Sequence, residues 1–449
     1  MKKILILGAG KSSPYLISYL LENSSKFDWF VTVGDKDIKL AKERVGTHPR
    51  GNAVYLDVND SGLLSRQIKN SDLVLNILAP VFQHLVAWTC VEHGKHMISV
   101  SYTDSRINDL EKDAHRKGVI LLTEIGLDPG IDHMSAASII NQVIQKGGII
   151  KSFESYGGGL SAPDSKTNPF NYVISWNPRN VVMAGENGAQ YLRNGKIKII
   201  PYYHLFRNSW PVEVEGLGVL EAYPNRDSLA YLNMPGLKNV STLIRGTLRY
   251  PGWSETWLQI VRLGLPNEKM RIPNLKNKTY ADLVEIFLPS TVPGSNLEER
   301  VANLLNISPT GKIMENLRWL GLFSDEKIGV NVESSAEVLI NLISRKLYLP
   351  PDARDMVILF HRIRAKYPAK KNRKEEILST MIHYGEKGGF TAMAKAVGFP
   401  AAIAAKLILT GKLPITGCYI PTHPAIYEPV LDELSRNGFD FRESVKKIS

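Results

Sequence analysis

Six short apolar runs punctuate the first 127 residues, and helical spacing fills the gaps between them. The runs lie at 4–7, 29–33, 53–56, 73–78, 96–100 and 119–122. Tyr15, Leu16, Tyr19 and Leu20 recur one helical turn apart, and 38–45, 63–68 and 81–92 repeat that pattern. A run that is apolar at nearly every position suits a strand buried on both faces. Strand and helix alternating in this way specify α/β architecture, a doubly wound parallel sheet of Rossmann type.

The rest of the chain reads differently. Runs at 150–156, 197–200 and 356–363 are far apart in sequence and point to a mixed sheet in an α+β domain. From about 228 to 348 the chain reads as mainly helical, with a capping box at Ser334-Ser335-Ala336-Glu337. The tail offers a helix or broken helix at 391–409, a loop punctuated by Pro414, Pro421, Pro424 and Pro429, and a last helix at 430–437. A division follows for the 449 residues: 1–127, then 128–227 with 349–389, an insertion at 228–348, and a tail at 390–449.

Bulk properties narrow the function classes. The net charge of +11 invites anionic partners, but the one dense basic cluster, Arg362 to Lys374 around Pro368, reads as a solvated hairpin loop. It lacks aromatic interleaving, so nucleic acid is not expected. The two cysteines, Cys90 and Cys418, show no metal or disulfide spacing. The apolar run after Met1-Lys2-Lys3 is too short for a signal peptide. Residues 399–409 come nearest to a membrane span but carry Lys406, so the reading is a soluble cytoplasmic protein with no membrane partner.

The first strand runs into Gly8-Ala9-Gly10-Lys11-Ser12-Ser13-Pro14. Gly8 and Gly10 match two glycines of the dinucleotide fingerprint, one for the tight turn and one for close approach to a pyrophosphate. Ser13 replaces the third. Asp35 ends the second strand, 25 residues after Gly10. A carboxylate there accepts ribose hydroxyls and repels a 2′-phosphate, which favours NAD; Lys36 beside it leaves NADP as the alternative. Asp57 is placed near the adenine, and Leu78 and Ala79 near the middle of the cofactor.

Substrate chemistry gathers after the sixth run. Glu124-Ile125-Gly126-Leu127-Asp128-Pro129-Gly130-Ile131-Asp132-His133 is a restricted turn that displays Asp128. Ser101-Tyr102, Tyr223-Pro224-Asn225-Arg226-Asp227-Ser228 and Arg245-Gly246-Thr247-Leu248-Arg249-Tyr250 add hydroxyls and arginines. Guanidinium forks suit a substrate with several carboxylates. Asp128, Asp132 and His133 form one short cluster without a matching second segment, so no metal is assigned.

With Ser155-Tyr156-Gly157-Gly158-Gly159-Leu160, Pro163, Asn168-Pro169 and Ser175-Trp176, these motifs resemble the saccharopine dehydrogenase family, in particular its glutamate-forming reductases. The resemblance covers nearly the whole chain and is loosest from about 260 to 350. It implies a Rossmann domain, a mixed α/β domain for substrate and dimerisation, an inserted helical domain, and a tail packed back on the first domain. It implies hydride transfer between NAD(P) and the secondary amine or imine joining glutamate to 2-aminoadipate semialdehyde, and a homodimer. Substrate contacts carry over onto Ser101, Tyr102, Asp128, Trp176, Arg226, Arg245 and Thr247. Cofactor contacts carry over onto Gly8, Gly10, Ser12, Leu78, Ala79, Leu127, Asp128, Pro129 and Gly130. Departures stand out: Pro14 comes one residue early, which unsettles Lys11 to Ser13; Asp35-Lys36 stands where NADP-using fungal members have a small residue then arginine, which strengthens NAD; and Gly157 stands where a cysteine is frequent.

The expected roles follow from charge. Arg226 and Arg245 anchor carboxylates of saccharopine, while Ser101 and Tyr102 hydrogen-bond its polar groups. Asp128 holds the amine, and Asp128 and Tyr102 are the candidates for proton transfer. Competing readings are a related dehydrogenase for another amino-acid or polyamine Schiff base and a non-catalytic NAD(P) sensor. Neither accounts for the paired arginine motifs.

Overall fold

The computed structural model describes residues 1–448. Six strands, β1 (Lys2–Leu7), β2 (Trp29–Asp35), β3 (Gly51–Tyr55), β4 (Leu73–Asn76), β5 (His96–Ser99) and β6 (Ile120–Leu122), form a parallel sheet with one tail strand, Gly417–Tyr419. The order is tail strand, β6, β5, β4, β1, β2, β3. Chain direction across the sheet reverses between β1 and β4, the crevice where such sheets bind dinucleotides. Each expected strand and helix of this region forms, with ends shifted by a few residues. Helix Ile38–Val45 begins where Asp37 accepts the N–H groups of Lys39 and Leu40.

The second sheet has nine strands: β7 (Ile149–Ser161), β8 (Ala189–Arg193), β9 (Lys196–Ile200), β10 (Trp210–Val214), β11 (Gly218–Pro224), β12 (Thr242–Arg249), β13 (Asp355–Tyr367), β14 (Arg373–Tyr384) and, after the tail strand β15, β16 (Phe441–Ile448). Its main path runs β10, β11, β12, β7, β13, β14, β16, with β7 and β12 parallel and the other neighbours antiparallel. Three sequence readings change here. Strand β7 continues through Gly157, Gly158 and Gly159 instead of ending before them. The stretch read as helical from 228 contains β12, held centrally between β11 and β7. Its α-helices come later, at Trp253–Arg262, Tyr280–Ile286, Leu297–Leu305, Lys312–Leu320 and Ser335–Lys346. The last of these has both halves of the capping box at Ser334 and Glu337. The basic cluster does close a hairpin, between β13 and β14, but Arg362, Arg364 and Lys366 lie within β13 itself.

The tail serves both sheets. Helix Ala392–Leu409 packs on the first helix, Pro14–Glu22, and against β13; β15 then joins β6, and β16 joins β14. Contrary to the sequence reading, this helix is long and apolar enough to cross a membrane, yet 78% of it is buried inside the protein. Asp355 on β13 fixes its start by accepting the N–H groups of Ala392 at 2.6 Å and Met393 at 3.1 Å. Pro424 and Pro429, read as loop markers, stand in helix Pro424–Ser435; Pro424 holds the first position, where its missing N–H has no helical partner to lose.

Helices Pro14–Glu22 and Ala392–Leu409 pack closely at Gly398, where an added Cβ would lie 2.9 Å from the backbone nitrogen of Leu16. We expect Gly398→Leu to lower the unfolding free energy by about 1–3 kcal/mol through overpacking. Denaturant titration checks this, and an unshifted midpoint refutes it.

Candidate active site

A cavity of about 1000 Å³ opens between the C-terminal ends of the first sheet and one face of the second. The first sheet contributes Gly10, Lys11 and Ser12 after β1, and Leu78 and Ala79 after β4. Leu127, Asp128 and Pro129 descend from above β6, and Arg245, Thr247 and Arg249 rise from β12. Met393, Val397, Ile420 and Thr422 of the tail complete the wall.

The turn before helix Ile131–Gln145 is shaped by its glycines. Gly130 has φ +148°, and a Cβ there would overlap the carbonyl of Gly126. Gly126 N–H donates to Pro129 O at 2.9 Å, and the Asp128–Pro129 peptide is cis. Beneath the turn, a Cβ on Gly157 would come within 3.1 Å of Asp128 Oδ2. The glycines of β7 therefore leave room for the carboxylate.

Asp128 sits in a dense polar cluster. The Tyr102 hydroxyl donates to Asp128 Oδ1 at 2.6 Å. Arg245 Nη2 donates to the same oxygen, to Tyr102 Oη at 2.7 Å and to Asp132 Oδ2 at 3.2 Å. The Arg245 guanidinium is almost fully buried and lies 4.4 Å from the centre of the Tyr231 ring. His133 faces Glu124 Oε2 at 3.0 Å through Nδ1 and Asp132 Oδ2 at 3.7 Å through Nε2, and it contacts the Tyr231 hydroxyl. Behind them, Ser135 Oγ is 2.8 Å from His361 Nε2.

These contacts set the charge states. Burial alone would raise the Asp128 pKa, but Arg245, the Tyr102 hydroxyl and His133 outweigh it and hold the value below the usual range. For Asp132, burial and the neighbouring Asp128 prevail and raise it. Burial, with help from both acids, pushes Tyr102 well above 10 against the pull of Arg245. His361 is driven down to about 3, first by burial and then by His133 and Arg245, so it stays neutral. Burial opposes the charged form of His133, yet Asp132 and Glu124 overcome it and raise the pKa.

The expected site residues fall into three groups. Tyr102, Asp128 and Arg245 meet directly. Ser101, Trp176, Arg226 and Thr247 line the same cavity. Trp176 Nε1 donates to Tyr172 Oη at 3.0 Å, and Arg226 stands exposed on its turn without an ion-pair partner among the described residues. Gly8, Asp35, Lys36, Asp57 and Gly130 lie outside the cavity lining. Asp35 Oδ2 accepts Ala9 N–H at 2.7 Å and Oδ1 accepts Asp37 N–H at 2.8 Å, while Lys36 pairs with Asp57 at 2.9 Å. Despite the early Pro14, Lys11 and Ser12 reach the cavity, and Lys11 Nζ donates to Ile174 O at 3.1 Å.

The sequence placed His133 in a cluster with Asp128 and Asp132 without giving it a role, and it did not single out Tyr231 or His361. Spacing gives no signal for Tyr231 or His361, which reach the cluster from 98 and 226 positions away from His133 and Ser135.

Residues 4–122 match the saccharopine dehydrogenase NADP binding domain, and residues 126–439 match the saccharopine dehydrogenase C-terminal domain. The chain belongs to the saccharopine dehydrogenase family. Within this family it is 30% identical to a Schizosaccharomyces pombe protein named saccharopine dehydrogenase [NADP(+), L-glutamate-forming], over 99% of each chain. It is 35% identical, over 97% of its own length, to the mitochondrial alpha-aminoadipic semialdehyde synthase of Bos taurus, and spans only 47% of that protein. The solved apo saccharopine dehydrogenase (L-Glu forming) of Saccharomyces cerevisiae superposes with a TM-score of 0.87 at 29% identity and full coverage of both chains.

The raised His133 pKa has a defined consequence for stability. A group whose folded value exceeds its unfolded value of 6.5 contributes fully below that pH and loses the contribution as pH rises through the folded value. Denaturant stability should therefore fall on the alkaline side in the native protein, and His133→Gln should flatten that arm. Parallel pH profiles for the two proteins would exclude the effect.

Proposed function

We propose that the chain catalyses the reversible conversion of saccharopine, NAD(P)⁺ and water to glutamate, 2-aminoadipate semialdehyde, NAD(P)H and a proton, a reaction of lysine metabolism. One observation carries this reading: the Asp128 carboxylate, held ionised by Arg245 and Tyr102, stands where the dinucleotide crevice meets the polar face of β12. Family membership supports it, as do the names of full-length fungal relatives.

A nicotinamide held by Gly10, Ser12, Leu78, Ala79 and Leu127 would supply hydride transfer at the aminoadipate-side carbon next to the secondary amine of saccharopine. The carbon–nitrogen bond becomes an iminium, water adds to that carbon, and cleavage releases the glutamate nitrogen as an amine. Gly10 and Ser12 at the helix start suit the pyrophosphate, and Leu78, Ala79 and Leu127 supply apolar walls nearby. Asp128 has a depressed pKa and so accepts a proton poorly. Its fixed negative charge instead favours the cation that develops on the substrate nitrogen. Tyr102, protonated at neutral pH, aims that carboxylate by donating to it. Arg226, free of acids and open to the cavity, is the anchor for one substrate carboxylate, with Ser101, Trp176 and Thr247 around it.

For the cofactor we carry over NADP, as the fungal relatives and the matched N-terminal domain are named for it. This replaces the NAD preference drawn from Asp35. Both Asp35 oxygens already serve backbone N–H groups, and Lys36 and Arg44 bring two cations to that rim; Arg44 Nε lies 3.4 Å from Ala9 O.

Absorbance at the reduced nicotinamide band should rise with saccharopine and NADP⁺, and more slowly with NAD⁺. Failure with both cofactors sinks the activity, while faster turnover with NAD⁺ returns Asp35 to the ribose. Asp128→Asn should cut kcat by about 100-fold while leaving cofactor affinity in place; a kcat within about threefold of the native value would remove the electrostatic role.

A further inference from the structure

Side chains alternate along a strand, so a sheet displays two different surfaces. The cavity around Asp128 takes Gly157, Arg245 and Leu359 from β7, β12 and β13. A second cavity, of about 540 Å³, takes residues of the opposite parity from the same three strands: Ser152 and Glu154, Thr242 and Ile244, Arg362 and Arg364. It therefore lies on the far face of the sheet, back to back with the Asp128 cluster. Arg193 at the end of β8, Trp210 at the start of β10, Lys151, Lys366 and Lys374 help to complete its lining.

The charge of this cavity is one-sided. Among the described residues, six cations line it against a single acid, Glu154. Four of the six belong to the basic run between Arg362 and Lys374. Glu154 already accepts the Tyr156 hydroxyl at 2.6 Å and stands 3.8 Å from Arg362. Arg364 pairs with Glu376 at 2.8 Å. Arg193, Lys151 and Lys366 have no ion pair among the described residues. The half-buried Arg193 guanidinium is held by rings instead, 4.8 Å from the centre of Trp210 and 5.4 Å from that of Tyr191. Such stacking fixes the plane of the fork and leaves its N–H edges unspent. Across the hairpin, Lys366 stands directly opposite Lys374. Like charges in facing positions repel, and an anion bridging them removes that cost.

The occupant that fits is small and dense in negative charge. The volume is that of a small-molecule site. A two-fold contact with a second copy would set this positive face against itself. A nucleic-acid strand binds by stacking on free rings, and Arg193 already covers the Trp210 ring. A phosphate ester group carries about two negative charges and three acceptor oxygens, so a short chain of phosphates matches six cations better than carboxylates do. We propose that this cavity binds a small oligophosphate anion, a di- or triphosphate group free or carried on a nucleoside, with Arg193 and Lys366 as its main ligands.

Calorimetry on the full chain tests this with sodium tripolyphosphate and ATP as probes, at about 0.15 M salt so that only close charges act. The double variant Arg193→Gln with Lys366→Gln should weaken tripolyphosphate binding roughly tenfold or more at an unchanged melting temperature. Phosphate uptake at the dinucleotide crevice does not involve these side chains, so the site is read from the difference between native and variant. Lys151→Gln, at an exposed position, decides the matter if the double variant melts early, with a loss of about threefold expected. Equal binding of the two probes supports a site for phosphates alone, and tighter ATP binding supports one that also holds the nucleoside. Native and variant chains that bind alike, or a native chain that binds neither probe, overturn the proposal. So does an oligonucleotide that displaces tripolyphosphate at far lower phosphate concentration, since the ligand is then a polymer. A native dimer that the folded double variant splits into monomers overturns it too, because the face is then a contact between copies.

Discussion

The Arg245 guanidinium is the tie on which the site depends. It is buried, and such a charge is tolerable only with opposite charges around it. Asp128 and Asp132 supply them, the first from the turn that follows the first sheet and the second from the start of the helix after it. One side chain of the second sheet thereby fixes the turn of the first. Asp132 also accepts Gly130 N–H at 2.7 Å, so the electrostatic tie and the turn geometry reinforce each other. Removing the arginine would leave two neighbouring acids without their shared cation.

Around this tie the labour divides by architecture. A parallel sheet offers strand ends and helix starts, which suit phosphates and a flat cofactor. A mixed sheet offers a broad face on which alternate residues point one way. Here that face carries arginines on β12 and bare glycines on β7. The reaction needs a donor and an acceptor brought together without water between them, and the two kinds of surface meet along Asp128.

Local signals made much of the fold readable from sequence. Helix Ile38–Val45 and the Ser334 capping box are written in adjacent residues, as are the buried runs of the first sheet. Strand β12 was hidden because Arg245, Gly246, Thr247 and Arg249 break the apolar pattern that marks a central strand. Three of those breaks line the candidate site, so the signal for a site erased the signal for a strand. The β7 glycines misled for a related reason. They look like a strand end, but they stand where Leu248, Met393 and Asp128 press against the backbone. At the site, Tyr102, Asp128 and Arg245 were legible from type and motif. Their mutual engagement was not, because Tyr102 and Arg245 are 143 positions apart.

The tail strands carry a consequence for the birth of the protein. Gly417 pairs with Ile120, 297 positions earlier in the chain. A ribosome delivers the first six strands long before the one that covers their outer edge. Until then the nascent sheet presents an unpaired margin to every other growing polypeptide nearby. The β6 margin thus stays open through much of synthesis and closes only once β15 has been made.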